Sequence, residues 1–285
     1  MRYRLTIAYD GSRYHGWQEQ TAHDGAPTVP TVQAELRSAL QVIARQPVNL
    51  SGASRTDAGV HALGQVAHFD AENLAVPIDR LARAINSRLP GDIEVREAAE
   101  VDPAFDAIGD AVEKQYRYRV WNAERRPLAY RHTVYHCWTP LDRSAMEKAA
   151  SLLVGEHDFA AFTNAGHGRL STVRSVLACA VERRPPTGAV HPDAVAHDEV
   201  HIVVRGDGFL YNMVRIIAGT LVEVGRGRFA PDHVRTLLGE PDRRRAGPTL
   251  PPDGLCLEWI RYAPPGTGRA LRFGGPSAER PERDH

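Results

Sequence analysis

Apolar residues at every second position open the chain. Tyr3, Leu5, Ile7 and Tyr9 alternate with polar neighbours and stop at Asp10-Gly11, which predicts a half-buried strand ending in a turn. The period then changes. Thr31 precedes Val32, Leu36, Leu40 and Ile43, which fall on one helical face, so a capped helix is expected there. Val48–Gly52 reads as a short strand leading into the turn-rich Ser54-Arg-Thr-Asp-Ala-Gly59, and Gln65–Phe69 as the strand that follows. Pro77 suits the first position of a helix whose Leu81, Ile85 and Leu89 share a face.

The second half keeps the rhythm. Tyr116, Tyr118 and Val120 line one face of a strand, with Arg117 and Arg119 on the other. Asp142 caps a helix that Gly155 closes, and strands are expected at Thr172–Glu182 and Glu199–Arg205, with a Pro/Gly-containing excursion between them. A helix from Phe209 to Val224 turns Phe209, Met213, Ile217 and Leu221 inward, Pro231 opens a shorter one, and Leu255–Tyr262 is the last strand. The implied class is α+β: two halves of similar element order, with helices packed on a mixed, mostly antiparallel sheet. The expected division is an N-terminal half, 1–110, carrying the Arg-Thr-Asp loop, and a C-terminal half, 111–262, carrying the tyrosine strand and Arg215. Residues 263–285, rich in Gly, Pro and charge, read as a disordered tail.

Composition narrows the function classes. The 35 basic and 35 acidic side chains cancel, so an RNA site would have to be a local basic surface rather than a whole-chain field. Cys137, Cys179 and Cys256 form no C-x-x-C pair, which argues against a disulfide framework or zinc site and fits a reducing cytoplasm. The N-terminus lacks an apolar signal segment, and the most apolar later stretch, Met213–Val224, is too short to span a bilayer and is broken by Arg215 and Glu223. No membrane role is expected.

The strongest chemical signal is Ser54-Arg-Thr-Asp-Ala-Gly-Val-His61. An Asp before a glycine turn is commonly a turn former, bonding nearby amides. A neighbouring guanidinium, Arg55, also favours the ionised form that a nucleophile or base requires. This octapeptide resembles the Gly-Arg-Thr-Asp-Ala-Gly-Val-His motif of TruA-type tRNA pseudouridine synthases, with Ser54 in the glycine place. Four further blocks are similar in the same order: Tyr9-Asp-Gly-Ser-Arg-Tyr-His-Gly-Trp-Gln18, Asn86 to Asp92, Lys114-Gln-Tyr-Arg-Tyr118, and Phe209-Leu-Tyr-Asn-Met-Val-Arg215. The likeness covers residues 1–262.

That resemblance implies the pseudouridine synthase fold, a homodimer, no cofactor, and isomerisation of tRNA uridines 38, 39 and 40 in the anticodon stem-loop. Residue by residue, it gives Asp57 the catalytic role, Arg55 a contact with RNA and the active site, Tyr116 a stacking face for the uracil, and Arg215 a pairing with Asp57. Without it, Tyr116 reads as a core strand residue, Arg215 as a guanidinium reaching the surface on its long stem, and Arg55 as a phosphate clamp. Lys114, Arg125, Arg126 and Arg131, with Arg117 and Arg119, tilt one stretch basic and are candidate RNA-backbone contacts, a solvated surface being the equal alternative.

The isomerisation exchanges an N1–C1′ bond for a C5–C1′ bond and changes no atom count. The carboxylate is needed either to attack C1′ or to remove a ribose proton, and the sequence leaves that choice open. Two departures stand out: Ser54, tolerable only where the backbone needs no positive φ, and Phe105-Asp-Ala-Ile-Gly-Asp-Ala111, where Ile108 and Asp110 replace an Arg and a Ser that touch RNA in the family. A pseudouridine synthase with other RNA targets, and a non-catalytic RNA-binding protein on the same scaffold, remain the rival readings.

Overall fold

A computed structural model describes residues 1–20, 29–164, 171–184 and 198–263. The tail beyond residue 263, and most of the excursion before Glu199, lie outside the described residues.

The expected class holds. Among the described residues ten strands form one mixed, mostly antiparallel sheet, and five α-helices pack on it. The strands are β1 (Arg2–Tyr9), β2 (Leu50–Gly52), β3 (His61–Asp70), β4 (Ile93–Val101), β5 (Ala111–Asn122), β6 (Tyr135–Cys137), β7 (Gly155–Asp158), β8 (Val173–Arg184), β9 (Asp198–Gly206) and β10 (Leu255–Tyr262). The helices are α1 (Val32–Ala44), α2 (Ile78–Asn86), α3 (Arg143–Ser151), α4 (Met213–Gly225) and α5 (His233–Gly239). The strand order is β4-β1-β3-β10-β5-β9-β8-β7, with β2 on β3 and β6 on β5. Among the described residues only β3–β10 and β5–β6 run parallel. The last strand is therefore the seam: β10 lies between the strands of residues 1–101 and those of residues 111–206.

Alternation builds the core on one side of this sheet. Leu5, Ile7 and Phe69 from the first strands, and Tyr118, Ile202 and Leu257 from the later ones, join Leu36 and Leu40 of α1, Ile85 of α2, Met146 of α3, Ile217 of α4 and Leu237 of α5 in one contiguous cluster. On the opposite side β5 presents Arg117 and Arg119, and β9, paired Arg119 to His201, presents Glu199 and His201. A cavity of about 430 Å³ on that side is lined by His61, Arg117, Arg119, His201, Cys256 and Glu258.

Local expectations fail in instructive places. Thr31 and Asp142 cap α1 and α3, accepting from Ala34 and Ala145 amides at 3.4 and 3.0 Å. Pro77, however, stands one residue before α2 in extended conformation, and Gly155 opens β7 at φ +124° instead of closing α3. The helix expected from Phe209 begins only at Met213, because Asn212 takes a left-handed conformation at φ 61°. Strands β4 and β7 were not expected.

Candidate active site

The Arg-Thr-Asp loop bridges β2 and β3 and is braced from beneath. Lys114 donates its ammonium to the Ala53 carbonyl at 2.7 Å. Gln65 clasps Ser54 from both ends, its Oε1 accepting the Ser54 amide at 3.2 Å and its Nε2 donating to the Ser54 carbonyl at 2.6 Å. Tyr9 and Thr56 share a hydroxyl–hydroxyl hydrogen bond of 2.8 Å, and the Trp17 amide donates to the Thr56 carbonyl at 3.1 Å. Gly16 makes that last approach feasible: at φ +92°, a Cβ there would run into the Thr56 carbonyl. Ala53, Ser54 and Thr56 are thus held by β1, β3, β5 and the segment after β1, so the carboxylate sits on a loop with little freedom.

Asp57 meets Arg215 of α4, Nη1 donating to Oδ2 at 3.2 Å. The guanidinium is aimed by two other acceptors, the Leu250 carbonyl at 2.7 Å from Nε and the Asn212 Oδ1 at 2.7 Å from Nη1. Asn212, which could have capped its own helix, spends its side chain on Arg215 instead. The Asp57 and Arg215 side chains are 22% and 15% exposed, so this is a half-dehydrated pair. Burial raises the Asp57 pKa above the ordinary aspartate value, and the Arg215 charge and hydrogen bond only partly offset it.

Tyr116 lies at the base of the same site. Its ring meets the edge of Phe209 at 5.2 Å and 85°, and its hydroxyl shares a 2.9 Å hydrogen bond with Ser54 Oγ. Burial pushes the phenol up to about 12, Ser54 draws it back, and the Asp57 charge raises it again, so it stays neutral beside the carboxylate. Ser54 itself is not among the residues at positive φ, so its backbone places no demand that only glycine could meet.

The structure thus brings Asp57, Arg215 and Tyr116 together. Arg55, though adjacent in sequence, is exposed and has no partner among the described residues. Lys114 is buried under the loop, where the sequence had suggested a surface contact. Arg125, Arg126 and Arg131 are exposed on the connection after β5. The carbonyl of His132 on that connection accepts a 2.8 Å hydrogen bond from His61 Nε2, at the start of β3. Arg117 and Arg119 pair with Glu258 at 2.5 Å and Glu199 at 2.9 Å. Sequence reasoning missed Asn212, Gln65 and the Ser54–Tyr116 bond. Asn in the middle of an apolar helix pattern was the one available signal for the first. Among the described residues no group of His, Cys, Asp and Glu is arranged to hold a metal ion, and no helix is long and apolar enough to cross a membrane.

Comparison with known proteins gives the chain its family. A family model described as tRNA pseudouridine synthase matches residues 5–108 and 149–263. The tRNA pseudouridine synthase A of Acetivibrio thermocellus is 42% identical over 259 residues, spanning 91% of this chain and 98% of that protein. That of Solidesulfovibrio magneticus is 44% identical over 287 residues, spanning 98% and 97%. The chain belongs to the tRNA pseudouridine synthase family. It is accordingly an isomerase, not a passive RNA-binding scaffold.

Proposed function

We propose that this tRNA pseudouridine synthase acts on anticodon stem-loop uridines, those at positions 38, 39 and 40 in the TruA-type family it resembles, with Asp57 as its catalytic carboxylate. The observation that carries the reading is the Asp57–Arg215 pair, an under-solvated carboxylate with one long ion pair on a braced loop. Dehydration strengthens its basicity and nucleophilicity, while Arg215 keeps enough of it ionised to act. Either attack at C1′ or removal of a ribose proton uses that same charged oxygen. The N1–C1′ bond then breaks, the uracil turns and C5 bonds to C1′, displacing the Asp57 oxygen in the first route and with the ribose proton returned by Asp57 in the second; the ring gives up its C5 proton and takes one at N1.

A stem uridine must first leave the stack, at a cost of a few kcal/mol. Stacking on Tyr116 returns about 1–3 kcal/mol of it. Arg55, Arg125, Arg126 and Arg131, all exposed, meet the RNA backbone, while Lys114 serves from below by holding Ala53. Residues 1–110 carry the reacting carboxylate, and residues 111–262 its guanidinium and aromatic partners. The active species is a cytoplasmic homodimer: one subunit, whose 35 basic side chains are cancelled by 35 acidic ones, offers only local basic patches to a long tRNA, and two subunits double those patches.

The test uses purified protein and unmodified tRNA transcripts, with pseudouridine mapped by carbodiimide labelling and primer extension. New stops confined to the anticodon stem-loop are expected with the wild type. Stops elsewhere would reassign the target, and full conversion by Asp57→Asn would remove Asp57 from the chemistry. Sedimentation showing a fully active monomer would remove the dimer.

A further inference from the structure

Ser54 is where this chain departs from the glycine usual in the motif, and the departure puts a hydroxyl in the site. Its Oγ lies 2.9 Å from the Tyr116 hydroxyl, across 62 residues of sequence. The contact is built rather than incidental. The Ser54 backbone is fixed on both sides by Gln65, itself fully buried, and the preceding Ala53 carbonyl by Lys114. Ser54 thus has little room to present its side chain elsewhere.

The tyrosine needs that partner. Tyr116 is 5% exposed, and a phenolic O–H taken out of water without a hydrogen bond is costly. The torsion about a tyrosine's Cβ–Cγ bond is also broad and weakly held. The Phe209 ring at 85° limits that rotation, while the hydroxyl lies on the rotation axis, so its bond to Ser54 fixes where the far end of the ring stands. A glycine at position 54 would leave the second constraint out.

We propose that Ser54 is a positioning residue, whose hydroxyl anchors the far end of the Tyr116 side chain at the place that receives the flipped uracil beside Asp57. This rests on the reading of Tyr116 as the base-stacking residue. Ordering done in the free enzyme need not be done on binding, so the expected benefit is a better-aligned base at saturating substrate.

The experiment is a double-mutant cycle on the full-length protein: wild type, Ser54→Ala, Tyr116→Phe and the double variant, each assayed for kcat and KM on unmodified tRNA transcript. Ser54→Ala should lose about threefold to tenfold in kcat, the scale of one hydrogen bond, with KM changed by less than about twofold. Tyr116→Phe should lose a similar factor, the double variant should be no worse than the poorer single, and Ser54→Thr, which keeps the hydroxyl, should recover most of the loss. Wild-type kcat in Ser54→Ala, or a double variant whose loss is the product of the singles, overturns the proposal. Tyr116→Ala separates the two layers. If it turns over fully, the reading of Tyr116 fails and takes Ser54 with it. If it is inactive while Ser54→Ala is normal, only the Ser54 proposal falls.

Discussion

Two carboxylate–guanidinium pairs sit on opposite faces of the same sheet, and they are opposites chemically as well. Glu199 is fully buried, yet Arg119 grips it with two hydrogen bonds, 3.0 Å to Oε2 and 2.9 Å to Oε1, and His201 Nε2 adds a third at 2.8 Å. Burial alone would raise its pKa, but the bonds from His201 and Arg119 outweigh it and the net shift is downward. Asp57 is less buried but has only the 3.2 Å contact to Oδ2, and its pKa moves up. Among the described residues Oδ1 has no protein partner. A carboxylate that accepts three charge-assisted or strong hydrogen bonds is a brace with little basicity left. One that is dehydrated but sparsely bonded keeps both a reactive oxygen and the tendency to use it.

The sharpest way to break that contrast is to neutralise each acid without changing its shape. Asp57→Asn should lower kcat about 10⁴-fold or more, as removal of a reacting group does, while tRNA affinity stays within about threefold. Because the folded-state pKa of Asp57 is raised, its ionisation costs stability as pH climbs from the ordinary aspartate range through the raised value, and the cost persists above it. At neutral pH, Asp57→Asn should therefore not lower Tm. Glu199→Gln should do the reverse. Turnover per folded molecule should hold, while stability falls by roughly 2–4 kcal/mol because Arg119 is left facing a neutral amide. Its depressed pKa means that the contribution is present above the ordinary glutamate range and lost as pH falls through the folded value. The wild-type and Glu199→Gln denaturation midpoints should accordingly converge in acid. Equal stability losses in the two variants would erase the distinction.

Arg215 sharpens the comparison from the other partner. Its charge lowers an Asp57 pKa that burial has raised, so Arg215→Met should let that pKa rise further. The acid limb of kcat/KM should move to higher pH, with a loss of about 10- to 100-fold at neutrality, in the range of one charged stabilising group, partly regained in alkali. An unmoved limb would mean that Arg215 does not tune the carboxylate.

Most of this arrangement was written in local pattern, and what was not has a physical reason. Strands β1 and β5 alternate over Tyr3–Ile7 and Tyr116–Val120 because one face is buried against helices, and the sequence shows that period directly. The two unexpected strands, β4 and β7, are the two ends of the sheet. Edges are kept polar to discourage pairing with other chains, so the sequence Gly-Glu-His-Asp in β7 carries no hydrophobic period, and in β4 the alternation of Ile93-Glu94-Val95-Arg96 lapses at Glu97 after only four residues. The start of α4 was overshot because Phe209 and Leu210 continue the apolar pattern. Only the backbone at Asn212 ends it, and that conformation serves Arg215. The Arg215–Asp57 contact spans 158 residues, and no periodicity within either segment encodes it. Motif resemblance named its members, but only the three-dimensional structure gives its length, burial and supporting acceptors.

Asn212 allows a finer test of how the reactive pair differs from the bracing one. Asn212→Gly preserves the left-handed conformation at φ 61°, which glycine adopts without strain, and removes only the carboxamide that accepts from Arg215. A loss of about twofold to tenfold in kcat is expected, the scale of one hydrogen bond. Asn212→Ala should lose more, since it adds backbone strain, and its Tm should drop while that of Asn212→Gly barely moves. Equal kcat in wild type and Asn212→Gly would show that the Leu250 carbonyl aims Arg215 by itself.

The smallest effect comes from the segment between β4 and β5, which touches neither carboxylate pair. Ile108 is 51% exposed there, where the resembling family has an arginine. Asp110 is not a loose surface charge: its Oδ2 accepts the Asp106 amide at 2.8 Å, and Asp106 Oδ1 in turn accepts from Ile108 and Gly109 at 2.8 and 2.7 Å. Replacing Asp110 would open this turn as well as remove a charge, so Ile108→Arg is the cleaner probe. A guanidinium that reaches a phosphate releases condensed counterions, and each such contact steepens log affinity against log salt by a little under one unit on a duplex. Ile108→Arg is therefore expected to tighten tRNA binding at low salt and add up to about one unit of slope, with kcat at saturating tRNA unchanged. Filter binding across a salt series, beside single-turnover rates, reads both quantities. A change in kcat would mean that this turn communicates with Asp57 after all. An unchanged slope would place the RNA path away from this turn, leaving Arg125, Arg126 and Arg131 to carry the backbone contact.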